Sequence, residues 1–267
     1  MQIAFFDWDG TLSADGRTVS RENTEAIAAF RAAGNLAVLC TGRCLGYVPD
    51  AAFAVGFDGV IAGSGATVLW KDTADTVRKI SPGNFEAKWV YHTWVPDETV
   101  REFLEFFAAM PQFCAMLEAE HALYAMNPFP DMPVFPSLIL SSADDFFRRF
   151  PQEHVSKFTV AARAMPMPAI PPLENRLHVV RYPHPFMEIC LPGETKSAGI
   201  GRVLSALQLP LSATMAFGDS ANDVDMLQYV ACGVAMGNAT DDVRAVADRI
   251  APPADRHGVA AVLREFF

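Results

Sequence analysis

Hydrophobic residues in this chain come in short uninterrupted runs, each closed by a small polar turn. Ile3 to Phe6 runs into Asp7-Trp8-Asp9-Gly10-Thr11, Leu36 to Cys40 into Thr41-Gly42-Arg43, and Met215 to Phe217 into Gly218-Asp219. Val234 to Met236, ahead of Gly237-Asn238, has the same form. Continuous apolar runs of this length fit strands covered on both faces, as in a parallel sheet. Between the first two runs the period changes. Ala26, Ile27 and Phe30 share a helical face, Ser20 suits the N-cap, and Gly34 suits the position just past the C-terminus. A second helical pattern opens at Lys196 and continues through Ile200, Val203, Leu204 and Leu207. Strand, helix, strand is the βαβ unit, so the pattern predicts an α/β fold built on a doubly wound parallel sheet.

The middle breaks this rhythm. From Gly83 to Cys190 the chain carries many aromatics, a helical pattern from Asp97 to Met110 (Val100, Leu104, Phe107), and prolines clustered around Pro128 to Pro136 and Pro166 to Pro172. Prolines at that density suit loops, turns and edge strands rather than central parallel strands. Residues 83–190 are therefore expected to form an inserted α+β domain, with 1–82 and 191–267 making the sheet core. The aromatic run Phe85, Trp89, Tyr91 and Trp94 reads as a core strand of the insertion.

Composition narrows the partners. With 51% hydrophobic and 19% charged residues the chain can bury a sizeable core, and its formal net charge of -10 repels nucleic acid and anionic membrane. A small molecule is the expected partner. Cys40, Cys44, Cys114, Cys190 and Cys232 are scattered and lack CxxC spacing, which fits neither a disulfide framework nor a zinc ribbon. Cys40 and Arg43 stand too close together for a cysteine-dependent phosphatase loop. The first apolar run is too short for a signal peptide, and none approaches the roughly 20 residues that span a bilayer. A cytoplasmic location is expected.

In a doubly wound sheet the C-terminal strand ends share one edge, and ligands bind there. Asp7, Thr41 and Asp219 each follow such an end, so distant residues converge. Asp7, Asp9 and Asp219 offer hard oxygen ligands for Mg²⁺, and a carboxylate there can act as a nucleophile toward phosphorus. Gly10 permits the turn that brings Asp9 round to a leaving group as general acid and base. Thr41 and Gly42, read as a helix entrance, and the Lys196 ammonium suit phosphate oxygens. Asn222 could donate to phosphate. Asp223 either orients a metal-bound water or caps the following helix, and Arg43 either reaches substrate or pairs with an acidic neighbour. Taken singly, Asp-x-Asp-Gly is most often a solvated turn and a lysine a surface residue. In this order, on these strand ends, they reinforce one another.

Asp7-Trp8-Asp9-Gly10-Thr11-Leu12, Thr41-Gly42-Arg43, Lys196 and Gly218-Asp219-Ser220-Ala221-Asn222-Asp223 resemble the four motifs of the haloacid-dehalogenase-like hydrolases. Their order and spacing are similar to the Cof-type branch, as is Val234-Ala235-Met236-Gly237-Asn238-Ala239. Trp8 departs from the aliphatic residue common at its position, and Ser197 from a frequent glycine. The resemblance implies a Rossmann-like core with an α/β cap inserted between the second and third motifs. It implies Asp7 as nucleophile and metal ligand, and Asp9 as acid/base that lends its backbone carbonyl to the metal. Asp219 would be the third ligand, with Ser220 beside the metal. The Trp8 N–H, Thr41, Gly42, Lys196 and Asn222 would hold the phosphate. The expected activity is Mg²⁺-dependent hydrolysis of a small phosphorylated metabolite through an aspartyl-phosphate. A phosphosugar mutase and a non-catalytic phosphosugar sensor are the competing readings.

Overall fold

Ile3–Phe6 forms strand β1, and every one of its residues is buried, as the continuous apolar run requires of a strand covered on both faces. The computed structural model describes residues 1–71, 78–80, 85–130, 137–182 and 184–266. The further strands, in chain order, are β2 (Leu36–Cys40), β3 (Gly59–Ala62), β4 (Thr67–Lys71), β5 (Arg78–Ile80), β6 (Phe85–His92), β7 (Phe113–Ala119), β8 (Leu123–Met126), β9 (Ser137–Ile139), β10 (Val155–Ala162), β11 (His178–Arg181), β12 (Phe186–Cys190), β13 (Thr214–Gly218), β14 (Cys232–Ala235) and β15 (Arg249–Ile250). The chain divides into two units, one of Met1–Arg43, Val48–His92 and Thr195–Phe267, the other of Cys44–Tyr47 and Thr93–Glu194.

The first unit carries a nine-stranded sheet, among the described residues, in the order β15-β14-β13-β1-β2-β3-β4-β6-β5. Pairing is parallel from β15 to β3 and antiparallel from β3 outward to β5. The chain winds from β1 to β2 and β3 in one direction, then returns to lay β13, β14 and β15 on the other side. The switch point thus falls beside β1, the place where such sheets present ligand sites. Register brings the strand ends into step, with Phe6 opposite both Leu39 and Phe217.

Helices lock this arrangement. The Arg21–Ala32 helix is capped by Ser20, whose Oγ accepts from the Asn23 N–H at 3.2 Å, and it buries Ile27 and Phe30. The Lys196–Leu207 helix starts on Thr195, whose Oγ1 accepts from the Ala198 N–H at 3.2 Å. Its Ile200, Val203 and Leu204 pack with Ile3, Phe5, Val38 and Ile61. Burying each such side chain contributes about 1.5–3 kcal/mol, so the apolar face of this helix fixes where Lys196 stands.

The second unit has its own six-stranded sheet, ordered β11-β12-β10-β7-β8-β9 among the described residues and antiparallel except between β8 and β9. The helices Asp97–Ala108 and Ala143–Arg149 supply Phe103, Leu104, Phe107 and Phe146 to a core with Leu117, Phe158, Val160 and Ile189. Phe103 stacks on Phe158 with centroids 4.0 Å apart. The separate segment Cys44–Tyr47 is fastened here too. The Cys44 N–H donates to Glu118 Oε2 at 3.4 Å, and a Cβ at Gly46 would stand 2.3 Å from the Ala122 nitrogen.

The bounds of the second unit differ from the expected 83–190. The expected division between 82 and 83 lies outside the described residues, as do Pro133 and Pro136 of the proline cluster. Beyond the short piece Cys44–Tyr47, the chain passes into the second unit after His92 and leaves it after Glu194. Trp89 and Tyr91 therefore sit on β6 in the sheet of the first unit, paired through β4, whereas Trp94 belongs to the second unit and stacks on His154. An aromatic antiparallel strand carries no mark of which sheet it joins, and a hairpin extends a sheet without the helix that signals a parallel crossover. All five cysteines are free. Among the described residues no helix is long and apolar enough to cross a membrane.

Candidate active site

Lys196 is the first residue of its helix, only 1% exposed, and its ammonium lies between two carboxylates. Nζ donates to Asp7 Oδ1 at 2.6 Å and to Asp223 Oδ1 at 2.5 Å. Burial alone would push the lysine pKa down, but the charges of Asp223 and Asp7 outweigh it and hold the lysine well above its ordinary value. Asp7 follows β1 directly and is tied to β13 by its N–H, which donates to the Phe217 carbonyl at 3.0 Å. Burial pushes its carboxyl well above the usual range, opposed by Lys196. Its Oδ2 accepts no hydrogen bond among the described residues.

Asp219 follows β13. Burial, then the charge of Asp223, raises its pKa to about 6. Asp7, Asp219 and Asp223 each bring a carboxylate oxygen within 4.8 Å of the others. Gly10 makes this packing possible. Its φ is +71°, and a Cβ there would stand 2.1 Å from Asp219 Oδ2, so no other residue fits without displacing the carboxylate.

The remaining expected residues divide. Asp223 pairs with Lys196, and its Oδ2 accepts the N–H groups of Asp219 and Ser220 at 3.0 Å each, closing a capping box on the turn Ala221–Asp223. Its side chain makes no capping bond to the helix Val224–Tyr229 that follows. Ser220 spends its hydroxyl within the same turn, donating to Asn222 Oδ1 at 2.7 Å. Asp9 corrects the expectation for its side chain. Its carboxylate does not join the other three but takes Arg43 in a fork, with Nε at 2.8 Å from Oδ2 and Nη2 at 2.6 Å from Oδ1. Arg43 thus pairs with an acidic neighbour, reinforced by Nη2 donating to the Gly16 carbonyl at 2.8 Å. Trp8 is fully buried, and its indole N–H donates to the same carbonyl at 3.0 Å, closing the loop under Asp9.

Thr41 is buried at the end of β2, its N–H donating to the Ile61 carbonyl and its Oγ1 accepting from the Arg43 N–H at 3.1 Å. No helix opens at Thr41 and Gly42, contrary to expectation. A bend leads instead to the single turn Leu45–Tyr47, because the chain is drawn into the second unit at Cys44. Any anion contact here uses the loop itself, not a helix dipole.

Sequence reasoning missed three contributors. Thr11 Oγ1 donates to Asp219 Oδ1 at 3.4 Å, and Asn238 Nδ2 donates to Asp219 Oδ2 at 3.2 Å. Asp225 Oδ2 accepts from the Ser197 N–H at 2.9 Å and so steadies the start of the lysine-bearing helix. Asn238 stands in a stretch similar to the Cof-type branch, but Gly-Asn after an apolar run reads equally as a plain turn, and nothing in it marks the side chain as a partner of Asp219.

Known proteins share this architecture. The solved structure of the HAD subclass IIB sugar phosphatase BT4131 aligns over 100% of this chain and 99% of its own, with a TM-score of 0.76 and 23% identity. BT1666 from Bacteroides thetaiotaomicron, a phosphatase of the haloalkanoate superfamily, aligns with a TM-score of 0.78 at 24% identity over 100% of this chain and 95% of that one. In sequence, 5-amino-6-(5-phospho-D-ribitylamino)uracil phosphatase YitU of Bacillus subtilis (strain 168) is 24% identical over 281 residues, covering 98% of this chain and 96% of that protein. Likeness at this level of identity speaks for the fold. The family model of the haloacid dehalogenase-like hydrolases matches residues 4–263, nearly the whole sequence, and the chain belongs to that family.

Proposed function

We propose that this chain is a magnesium-dependent phosphatase that hydrolyses a small phosphorylated metabolite, a sugar phosphate or similar phosphomonoester, through an aspartyl-phosphate on Asp7. The observation that carries the reading is the buried Lys196 ammonium fixed between Asp7 and Asp223, with Asp219 alongside. The phosphatase names of YitU and BT4131, one on a phosphoribityl compound and one on sugars, support the substrate class.

The donor set fits a hard divalent cation. Three carboxylates crowd together against one buried lysine, and burial, with the charge of Asp223 behind it, raises the Asp219 pKa to about 6. Asp7, Asp219 and the Asp9 backbone carbonyl would hold Mg²⁺, with Asp223 retained by Lys196. Bound there, the cation would reduce repulsion between a carboxylate and a phosphate dianion and stabilise transition-state charge.

The chain's own residues then divide the work. Lys196 opposes the burial that raises the Asp7 pKa, and meets the phosphoryl oxygens. Asp7 attacks phosphorus with its unbonded Oδ2, forming the acyl phosphate as the bond to the substrate oxygen breaks. Asp9, released from the Arg43 fork and carrying a proton, gives that proton to the leaving oxygen, then takes one from the water that attacks phosphorus and releases Asp7 and inorganic phosphate. The Thr41 hydroxyl, the Gly42 and Trp8 N–H groups and the Asn222 amide hold the phosphoryl group. Residues 93–194 select the substrate. The free thiols and the charge of -10 suit a cytoplasmic enzyme with a soluble small-molecule substrate.

A panel of phosphate esters assayed for phosphate release decides the matter. Release that stops on adding EDTA and returns with Mg²⁺ is the expected result. No metal-dependent release from any ester would sink the reading.

A further inference from the structure

The side-chain amide of Asn238 joins parts of the site that the proposed chemistry uses separately. Asn238 lies beyond the end of β14, in a loop that none of the steps above requires. Its Nδ2 donates to the Gly10 carbonyl at 2.8 Å and to Asp219 Oδ2 at 3.2 Å, and its Oδ1 accepts from the Ala254 N–H at 2.9 Å. These partners fix which way the amide points. A carbonyl only accepts and a peptide N–H only donates, so the flipped amide would face acceptor with acceptor and donor with donor.

The carboxylate it holds is constrained from other sides as well. Thr11 Oγ1 donates to Asp219 Oδ1, and the Gly10 backbone approaches Asp219 Oδ2 so closely that a Cβ there would overlap it. Gly10 and Asp219 come from strands separated by most of the chain, and one NH₂ group bridges them. The bridge is in turn held by Ala254, in the short turn Ala254–Arg256 that follows β15. The ends of four consecutive strands, β1, β13, β14 and β15, are thereby stitched together.

We propose that Asn238 is a positioning residue for the divalent-cation site. It sets the orientation of the Asp219 carboxylate and its distance from the Asp9-Gly10 turn, so that both address one ion. This rests on the reading of Asp219 as a metal ligand. Partners of this kind, bonded to a ligand rather than to the ion, typically alter metal affinity by about 10–100-fold.

The test is a calorimetric titration of the full chain with Mn²⁺ alone, comparing the unsubstituted protein with Asn238→Ala and Asn238→Leu. Asn238 is exposed, so truncation leaves the core intact, and leucine keeps the volume without either polar atom. Thermal unfolding in EDTA is recorded alongside to separate affinity from stability. The expected result is a Kd for Mn²⁺ raised about 10–100-fold in both variants, with KM for a hydrolysed ester little changed at saturating metal. Folded variants that bind Mn²⁺ as tightly as the unsubstituted chain overturn the inference while leaving the metal reading intact. An unsubstituted chain that binds no divalent cation overturns both.

Discussion

The ammonium of Lys196 and the carboxylate of Asp7, far apart in sequence, lie 2.6 Å apart in a site from which the lysine is almost wholly shielded from water. A lysine so buried is tolerable only because Asp7 and Asp223 flank it. Lys196→Met would leave those carboxylates without a counter-charge. The expected cost is about 3–5 kcal/mol of stability, read from urea unfolding, together with loss of phosphate release. Adding Asp223→Asn should restore part of the stability and none of the activity. An unchanged unfolding midpoint in the single variant would show that the ion pair contributes nothing.

Asp7→Asn tests the nucleophile. Phosphate release should fall by at least about 10³-fold, the scale seen when a covalent nucleophile is removed, with the circular dichroism spectrum retained. Acid quenching with a radiolabelled ester should trap label on the unsubstituted chain and none on the variant. Label on the variant would move the nucleophile elsewhere.

Gly10→Ala joins two penalties at one atom. The backbone is at φ +71°, where a side chain is strained by about 1–3 kcal/mol, and the new methyl would overlap Asp219 Oδ2. Both the melting temperature and Mn²⁺ affinity should drop. A variant with the metal affinity of the unsubstituted chain would mean that the carboxylate relaxes freely.

Asp219, raised to about 6 from an ordinary 3.8, links metal binding and stability to pH. Between about pH 4 and 6 the folded metal-free chain binds more protons than the unfolded chain, so its stability decreases as pH rises through that window. Asp219→Asn should flatten this slope. In the unsubstituted chain Mn²⁺ affinity should weaken as pH falls below about 6, because protons compete for the same oxygen. Calorimetric titrations across that range provide the check, and a pH-independent affinity would exclude Asp219 as a ligand.

Much of the core was legible because parallel strands announce themselves. The runs ending at Phe6, Cys40 and Phe217 are apolar on both faces, and Asp7, Thr41 and Asp219 could be placed at their ends without coordinates. Asp223 reads in the sequence as a cap of the following helix or an orienter of water, but its side chain closes the turn before that helix and holds Lys196. What stayed hidden depended on long-range choices. β6 joins the first sheet only because β4 offers it an antiparallel edge, and nothing within Phe85–His92 records that. Arg43 could have turned to substrate, but Asp9 and the Gly16 carbonyl claim it. The expected helix after Gly42 failed because the next residues pack against a unit formed much later in the sequence.

That last excursion has a consequence for anyone who wishes to cut the protein apart. Cys44–Tyr47 belongs with residues 93–194, so the second unit cannot be excised or transplanted as one continuous stretch. A fragment beginning at Thr93 would leave Glu118 without its Cys44 donor and bare the turn at His121 and Ala122 against which Gly46 sits. Exchanging this unit between relatives would require carrying over both pieces, the short one immediately adjoining Arg43.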